Sequence, residues 1–156
     1  SKHKTAYEIP LRLVGSEMCI RDRYRIGTYI FNDRSLVENK ICSEKKVALT
    51  VLATVVSTPT KNRAIIDAGS KVLTSDLFGM NDHGSIVNFP ELRITQLTEE
   101  HGTIVSEQNT NLEIGQKIQI IPNHACVVTN MLDEVNLITE EKKLKKVKVI
   151  ARGKVW

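Results

Sequence analysis

From Thr28 onward apolar and polar residues alternate with a period of two, while apolar residues spaced three or four apart over a long window are scarce. The runs TYIF (28–31), ALTVLATVVS (48–57), RAIIDAG (63–69), GSIVN (84–88), LRITQLTEEHGTIV (92–105), QKIQIIP (116–122), EVNLIT (134–139) and KKVKVIAR (145–152) read as strands. Their β-branched residues suit a pleated, half-buried surface. Breakers at TPTKN (58–62), GMNDHG (79–84), NFPE (88–91) and NLEIG (111–115) separate them. Helix is expected in SLVENKIC (35–42) and in a turn after Pro122. There Asn123 is placed to cap free amides, which would put His124 and Cys126 in the first turn. Many short strands without intervening helices predict a mainly β fold, a small antiparallel barrel or sandwich with one or two short helices.

The first 23 residues lack this alternation. LVGSEMCIRDR (13–23) resembles a translated sequencing adapter at the end of a gene fragment. Residues 1–23 are therefore expected to be a non-native or disordered leader, with the β domain at 24–156. No role is assigned to His3, Cys19, Arg21 or Arg23. The 156 residues suffice for one domain with a core of its own.

Charge changes this picture little. The net charge of +4 owes much to Lys142, Lys143, Lys145 and Lys146, whose place beside a predicted strand suits a solvated hairpin edge that resists pairing with other chains. Aromatic residues make up only 4%, so bases would find few stacking platforms, which argues against nucleic acid as a partner. No apolar run approaches the roughly 20 residues that span a bilayer, and the first ten residues lack the apolar core of a signal peptide. Cys19, Cys42 and Cys126 are an odd number without repeat spacing, which fits a reducing cytoplasm.

Candidate chemistry centres on IIPNHAC (120–126). An imidazole nitrogen and a thiolate are good zinc ligands, and a His-x-Cys pair in a tight turn can direct both toward one ion. Taken without context, a hydrogen-bonded core histidine and a buried thiol are the plainer reading of the same residues. With no CxxC and no second histidine cluster, a two-ligand site would leave positions open for water or substrate. In EEHG (99–102), Glu99, Glu100 and His101 could supply a third ligand, an acid or base, or a partner that orients His124; a polar strand end is the plainer reading. DAGSK (67–71) could approach a ligand or simply reverse the chain. Gly27, Thr28 and Tyr29 could meet phosphate, although no GxGxxG or Walker spacing accompanies them. His83 in NDHG reads as a loop residue.

Taken in order, GTYIFND (27–33), ALTVLATVVS (48–57), RAIIDAGSKVLTSD (63–76), LTEEHG (97–102), IGQKIQIIPNHAC (114–126) and ARGKVW (151–156) closely resemble the C-terminal β domain of the D-threonine aldolase and D-serine dehydratase family. The resemblance covers residues 24 to 156. That family is similar in plan to alanine racemase, with an N-terminal (β/α)8 barrel that carries pyridoxal phosphate on a lysine. The resemblance implies that His124 and Cys126 are ligands of a divalent metal, Zn2+ or Mn2+, and that Gly27, Thr28 and Tyr29 face the cofactor; His101 stays the candidate acid or base that its own segment offers. It implies a lyase of D-3-hydroxy amino acids, in which pyridoxal phosphate is an electron sink and the metal acts on the substrate's β-hydroxyl. Hydroxyl loss would give a dehydratase and Cα–Cβ cleavage an aldolase. The barrel and its lysine are missing from this sequence, and Lys71, in the DAGSK turn, does not replace that lysine. The chain is thus expected to be the metal-binding part of a truncated enzyme, inactive alone, with the missing barrel as partner and a homodimer as one form of the intact enzyme. The alternative is a small basic β-barrel interaction module without catalysis.

Overall fold

The computed structural model describes residues 27–154, so the expected leader and the last two residues of ARGKVW lie outside the described part. Strands β1 (Val51–Thr60), β2 (Arg63–Ile66), β3 (Ser85–Ile86), β4 (Arg93–Leu97), β5 (Gly102–Val105) and β6 (Lys117–Ile121) form one antiparallel sheet in the order β3-β6-β1-β2-β5-β4. The edge strands β3 and β4 also meet, and the amide of His83 donates to the carbonyl of Ile94 at 3.0 Å, so the sheet curls into a nearly closed barrel. Closure of this kind shields strand edges. A separate hairpin, β7 (Glu134–Ile138) with β8 (Leu144–Lys148), carries the lysine-rich segment, and β8 is exposed along its length, as its charge led one to expect. Among the described residues no helix is long and apolar enough to cross a membrane.

The period-two pattern sets the barrel's interior. On β1, Val51, Ala53 and Val55 point inward and Leu52 and Val56 outward. Ala64, Ile66, Ile94, Ile104, Ile118 and Ile120 complete the same core. The mainly β barrel expectation is met, with short helices α1 (Arg34–Glu38), α2 (Ser70–Leu73) and α3 (Ala125–Met131) at its margins.

Several local expectations are corrected. TYIF is not a strand: Thr28–Ile30 is a 3-10 turn, since its alternation lasts only four residues and Asn32, at φ 55°, reverses the chain directly after it. The expected helix at 35–42 starts at Arg34 and ends at Glu38. Asp33 caps its start, and Lys40 takes a positive φ of 58° just past its end. The run 92–105 is two strands joined by a tight turn, closed by Thr98 N–H donating to the His101 carbonyl at 2.8 Å. β1 runs on through Pro59 to Thr60, where bulged pairing with β2 tolerates a residue without an N–H. DAGSK contains the start of α2, which the strand pattern did not suggest.

Candidate functional site

Strand β6 delivers the chain into the IIPNHAC corner, where Pro122 is fully buried and its carbonyl accepts the Arg34 amide at 3.0 Å. The following helix does form, but Asn123 does not cap it. The N-cap position is His124, which makes no side-chain cap bond. The Asn123 side chain, 1% exposed, instead donates from Nδ2 to the carbonyls of Asp76 at 3.0 Å and Asp82 at 2.8 Å. The first-turn amide of Ala125 is satisfied from far away in sequence: it donates to Asp33 Oδ2 at 2.9 Å. The other oxygen of this buried carboxylate accepts from the Leu36 amide at 3.2 Å and from the Ser35 hydroxyl. One side chain thus caps α1 and pins the backbone between His124 and Cys126, serving groups that would be costly to bury unpaired.

The His124 ring is mostly buried, with 21% of its side chain exposed. Its Nδ1 meets Asp76 Oδ2 at 2.8 Å, and its plane stands at 89° to the Phe78 ring with centroids 4.7 Å apart. Cys126 is exposed, and its Sγ lies 3.3 Å from Thr28 Oγ1. Gly27 sits so close that a Cβ there would fall 3.7 Å from the same sulfur. Burial opposes charge on the imidazole, but hydrogen bonding and charge attraction from Cys126 and Asp76 outweigh it and raise the His124 pKa above the ordinary value. Conversely, the His124 imidazole, helped by Thr28, holds the Cys126 thiol below its ordinary pKa against the effect of burial. Both shifts favour the thiolate as the sulfur's form, the state in which cysteine is a nucleophile or a metal ligand.

The fold therefore brings together four of the residues singled out in the sequence: His124, Cys126, Gly27 and Thr28. Tyr29 is 63% exposed beside them. His101 is exposed at the β4–β5 turn, and among the described residues no hydrogen bond or ion pair links it to His124 or Cys126. Glu99 and Glu100 are engaged by Lys71, at 3.1 and 2.5 Å. That pairing raises the Lys71 pKa and lowers that of Glu100, so Lys71 is a protonated surface cation. Asp33, Asp76, Phe78 and the anchoring role of Asn123 escaped sequence reasoning. Only Asp33 left a signal, an N-cap residue before a helical run.

The donor set suits a borderline-soft divalent ion. An imidazole and a thiol biased toward thiolate stand at one helix start and interact with each other, while the imidazole's Nδ1 is taken by Asp76. Among the described residues no group of three or more His, Cys, Asp and Glu could hold a metal ion, so the protein donors on offer are this pair.

Comparison with known proteins follows the same outline. The family model described as "Putative serine dehydratase domain" matches residues 48–138. An uncharacterized protein of Mycobacterium tuberculosis is 34% identical over 131 residues, which cover 80% of this chain and 98% of that protein. D-serine dehydratase of Dictyostelium discoideum is 33% identical over 132 residues, 76% of this chain and 33% of the enzyme. The structure of D-threo-3-hydroxyaspartate dehydratase from Delftia sp. shares the fold, with a TM-score of 0.70 at 24% identity over 78% of this chain and 37% of that one. That dehydratase has also been solved with alanine replacing a histidine and, in the metal-free form, with alanine replacing the cysteine two positions further on. The chain thus spans about a third of these enzymes and nearly all of the mycobacterial protein. Since the family match covers more than half of the chain, including the strand and helix that carry His124 and Cys126, the protein belongs to the serine dehydratase domain family.

Proposed function

We propose that this domain is the metal-binding half of a pyridoxal-phosphate- and metal-dependent lyase of D-3-hydroxy amino acids, of the D-serine dehydratase or D-threonine aldolase type. The observation that carries the reading is the His124–Cys126 pair at the start of α3, with Nδ1 occupied by Asp76 and Sγ supported by Thr28. The histidine and cysteine replaced in the related dehydratase have the same spacing, and the structure of its cysteine variant is of the metal-free form.

His124 and Cys126 would hold the ion, and the thiolate favours zinc over manganese, which prefers oxygen donors. When bound, such an ion supplies Lewis acidity for a substrate hydroxyl, and pyridoxal phosphate, held by a barrel domain, supplies an electron sink at the neighbouring carbon. This chain's own contribution is positional. Asp33 fixes the backbone between the two donors, Asp76 and Phe78 fix the imidazole, and Thr28 directs a hydroxyl at the sulfur. Gly27 and Thr28 neighbour the Cys126 sulfur, and with Tyr29 they would be this chain's contacts to the cofactor side. His101 has a place in the reaction only if that barrel brings substrate to the β4–β5 turn. The partners this reading requires are the barrel and a small D-hydroxy amino acid, with a homodimer as the assembled form.

Zinc titration of the 156-residue chain by calorimetry tests the reading. One site is expected, lost in His124→Ala and in Cys126→Ala, and the chain alone is expected to turn over neither D-serine nor D-threonine. Equal zinc affinity in wild type and His124→Ala would refute it.

A further inference from the structure

Resting on the metal-site reading above, we infer that Asp76 is a positioning residue that fixes the tautomer of His124, so that Nε2 is the nitrogen offered beside Cys126. The bond that carries this is Nδ1 to Asp76 Oδ2 at 2.8 Å. An ionised carboxylate can only accept, so in the neutral ring the proton resides on Nδ1 and the lone pair on Nε2. A partner on the far nitrogen of a ligating histidine sets both ring orientation and donor strength.

The surroundings hold this arrangement in one register. The Phe78 ring stands perpendicular against the imidazole, and a flip of the imidazole about its Cβ–Cγ bond would exchange Nδ1 for a carbon and forfeit the Asp76 bond. The segment bearing Asp76 and Phe78 is fastened to the site by Asn123, whose one amide group donates to the carbonyls of both Asp76 and Asp82. Asp82, buried, is held in turn by Arg34 and by Arg93. The backbone flanking Asp76 adopts the left-handed region at two residues other than glycine, Thr74 at φ 62° and Phe78 at φ 50°, a conformation that side chains ordinarily disfavour. The Asp76 carboxylate itself is 41% exposed. The barrel's packing does not require it to reach His124, since water would solvate it equally well.

The test uses the full chain without metal, labelled with 15N in histidine, and reads long-range imidazole couplings by NMR at a pH where the ring is neutral. His124 is expected as the Nδ1–H tautomer in the wild type and to shift toward Nε2–H in Asp76→Ala. Asp76→Asn should recover much of the wild-type population, because its amide oxygen accepts the same bond. Zinc affinity should fall about 10- to 100-fold in Asp76→Ala and less in Asp76→Asn, with amide spectra confirming that each variant is folded. A wild-type ring in the Nε2–H form, or an unchanged tautomer in a folded Asp76→Ala, would overturn the assignment. The tautomer is read without metal, so it decides the role of Asp76 even if the His124→Ala titration rules out zinc at this site.

Discussion

Two corners of this domain place a histidine beside acidic residues, and they are built in opposite ways. At PNHAC the ring is mostly buried, and its Nδ1, the Ala125 amide and the Cys126 sulfur are each matched by a group remote in sequence: Asp76, Asp33 and Thr28 reach them from segments at least 48 residues away. At TEEH the side chains are exposed, Glu99 and Glu100 hold Lys71, and the histidine contributes mainly its backbone to a local turn. What is tightly built at TEEH is the backbone. Gly69 abuts the Glu99 carbonyl so closely that a Cβ has no room, and a Cβ on Gly102 would lie 2.8 Å from the Ala68 carbonyl. The same residue types therefore serve a preorganised side-chain site in one place and a solvated surface over a packed backbone in the other.

The contrast is most sharply tested by zinc binding: His124→Ala should reduce affinity by more than about 100-fold, beyond the range usual for an outer partner, while His101→Ala leaves it unchanged. A comparable loss in His101→Ala would mean that the two corners form one site. Next in size, Asp33→Ala should destabilise the fold by about 3 kcal/mol in urea unfolding, combining a lost helix cap with a buried Ala125 amide left without an acceptor. Asp33→Asn, which keeps one carbonyl oxygen, should lose less. At the other corner Gly69→Ala should lose about 2 kcal/mol through overpacking against backbone.

A smaller effect belongs to a third histidine. Burial holds His83 below its ordinary pKa of 6.5 despite the attraction of Asp82, and its buried Nδ1 has no hydrogen-bond partner. The folded state then binds the proton more weakly than the unfolded one. The stability contributed by the neutral ring is complete above 6.5 and is lost as pH falls through that value toward the lowered folded one. His124, shifted upward, titrates with the opposite sign. Stability of His83→Gln minus wild type, followed by urea unfolding from neutral to mildly acid pH, should therefore rise as pH falls. The smallest effect is expected for Glu100→Gln, which should leave the urea midpoint unmoved because its ion pair with Lys71 is exposed to solvent.

Much of the barrel was legible because alternation reports which face of a strand is buried, and it does so locally. Strands 63–66, 117–121 and 134–138 fall within the runs expected for them. TYIF failed because four alternating residues carry too little pattern to outweigh the chain reversal at Asn32. The run 92–105 conceals a turn at its four polar residues, 98–101, which break the alternation there although the run reads as one strand. At the site, His124 and Cys126 stood out as residue types whose spacing suits a metal, and Gly27 and Thr28 as a glycine and a hydroxyl beside an expected strand that could meet phosphate. Asn123 was misread for an instructive reason: its local capping preference yielded to two carbonyls that only the folded chain brings within reach.

The sequence by itself thus determined a small mainly β domain, a barrel or a sandwich, and singled out the His-x-Cys pair, since strand periodicity and the two-residue spacing are properties of neighbouring residues. Only the tertiary structure decided which group meets His124 Nδ1, which carboxylate pins Ala125, and which hydroxyl meets the Cys126 sulfur. Those outcomes depend on hydrogen bonds between residues 48 to 98 positions apart, and no local pattern encodes such a contact until packing has set the distances.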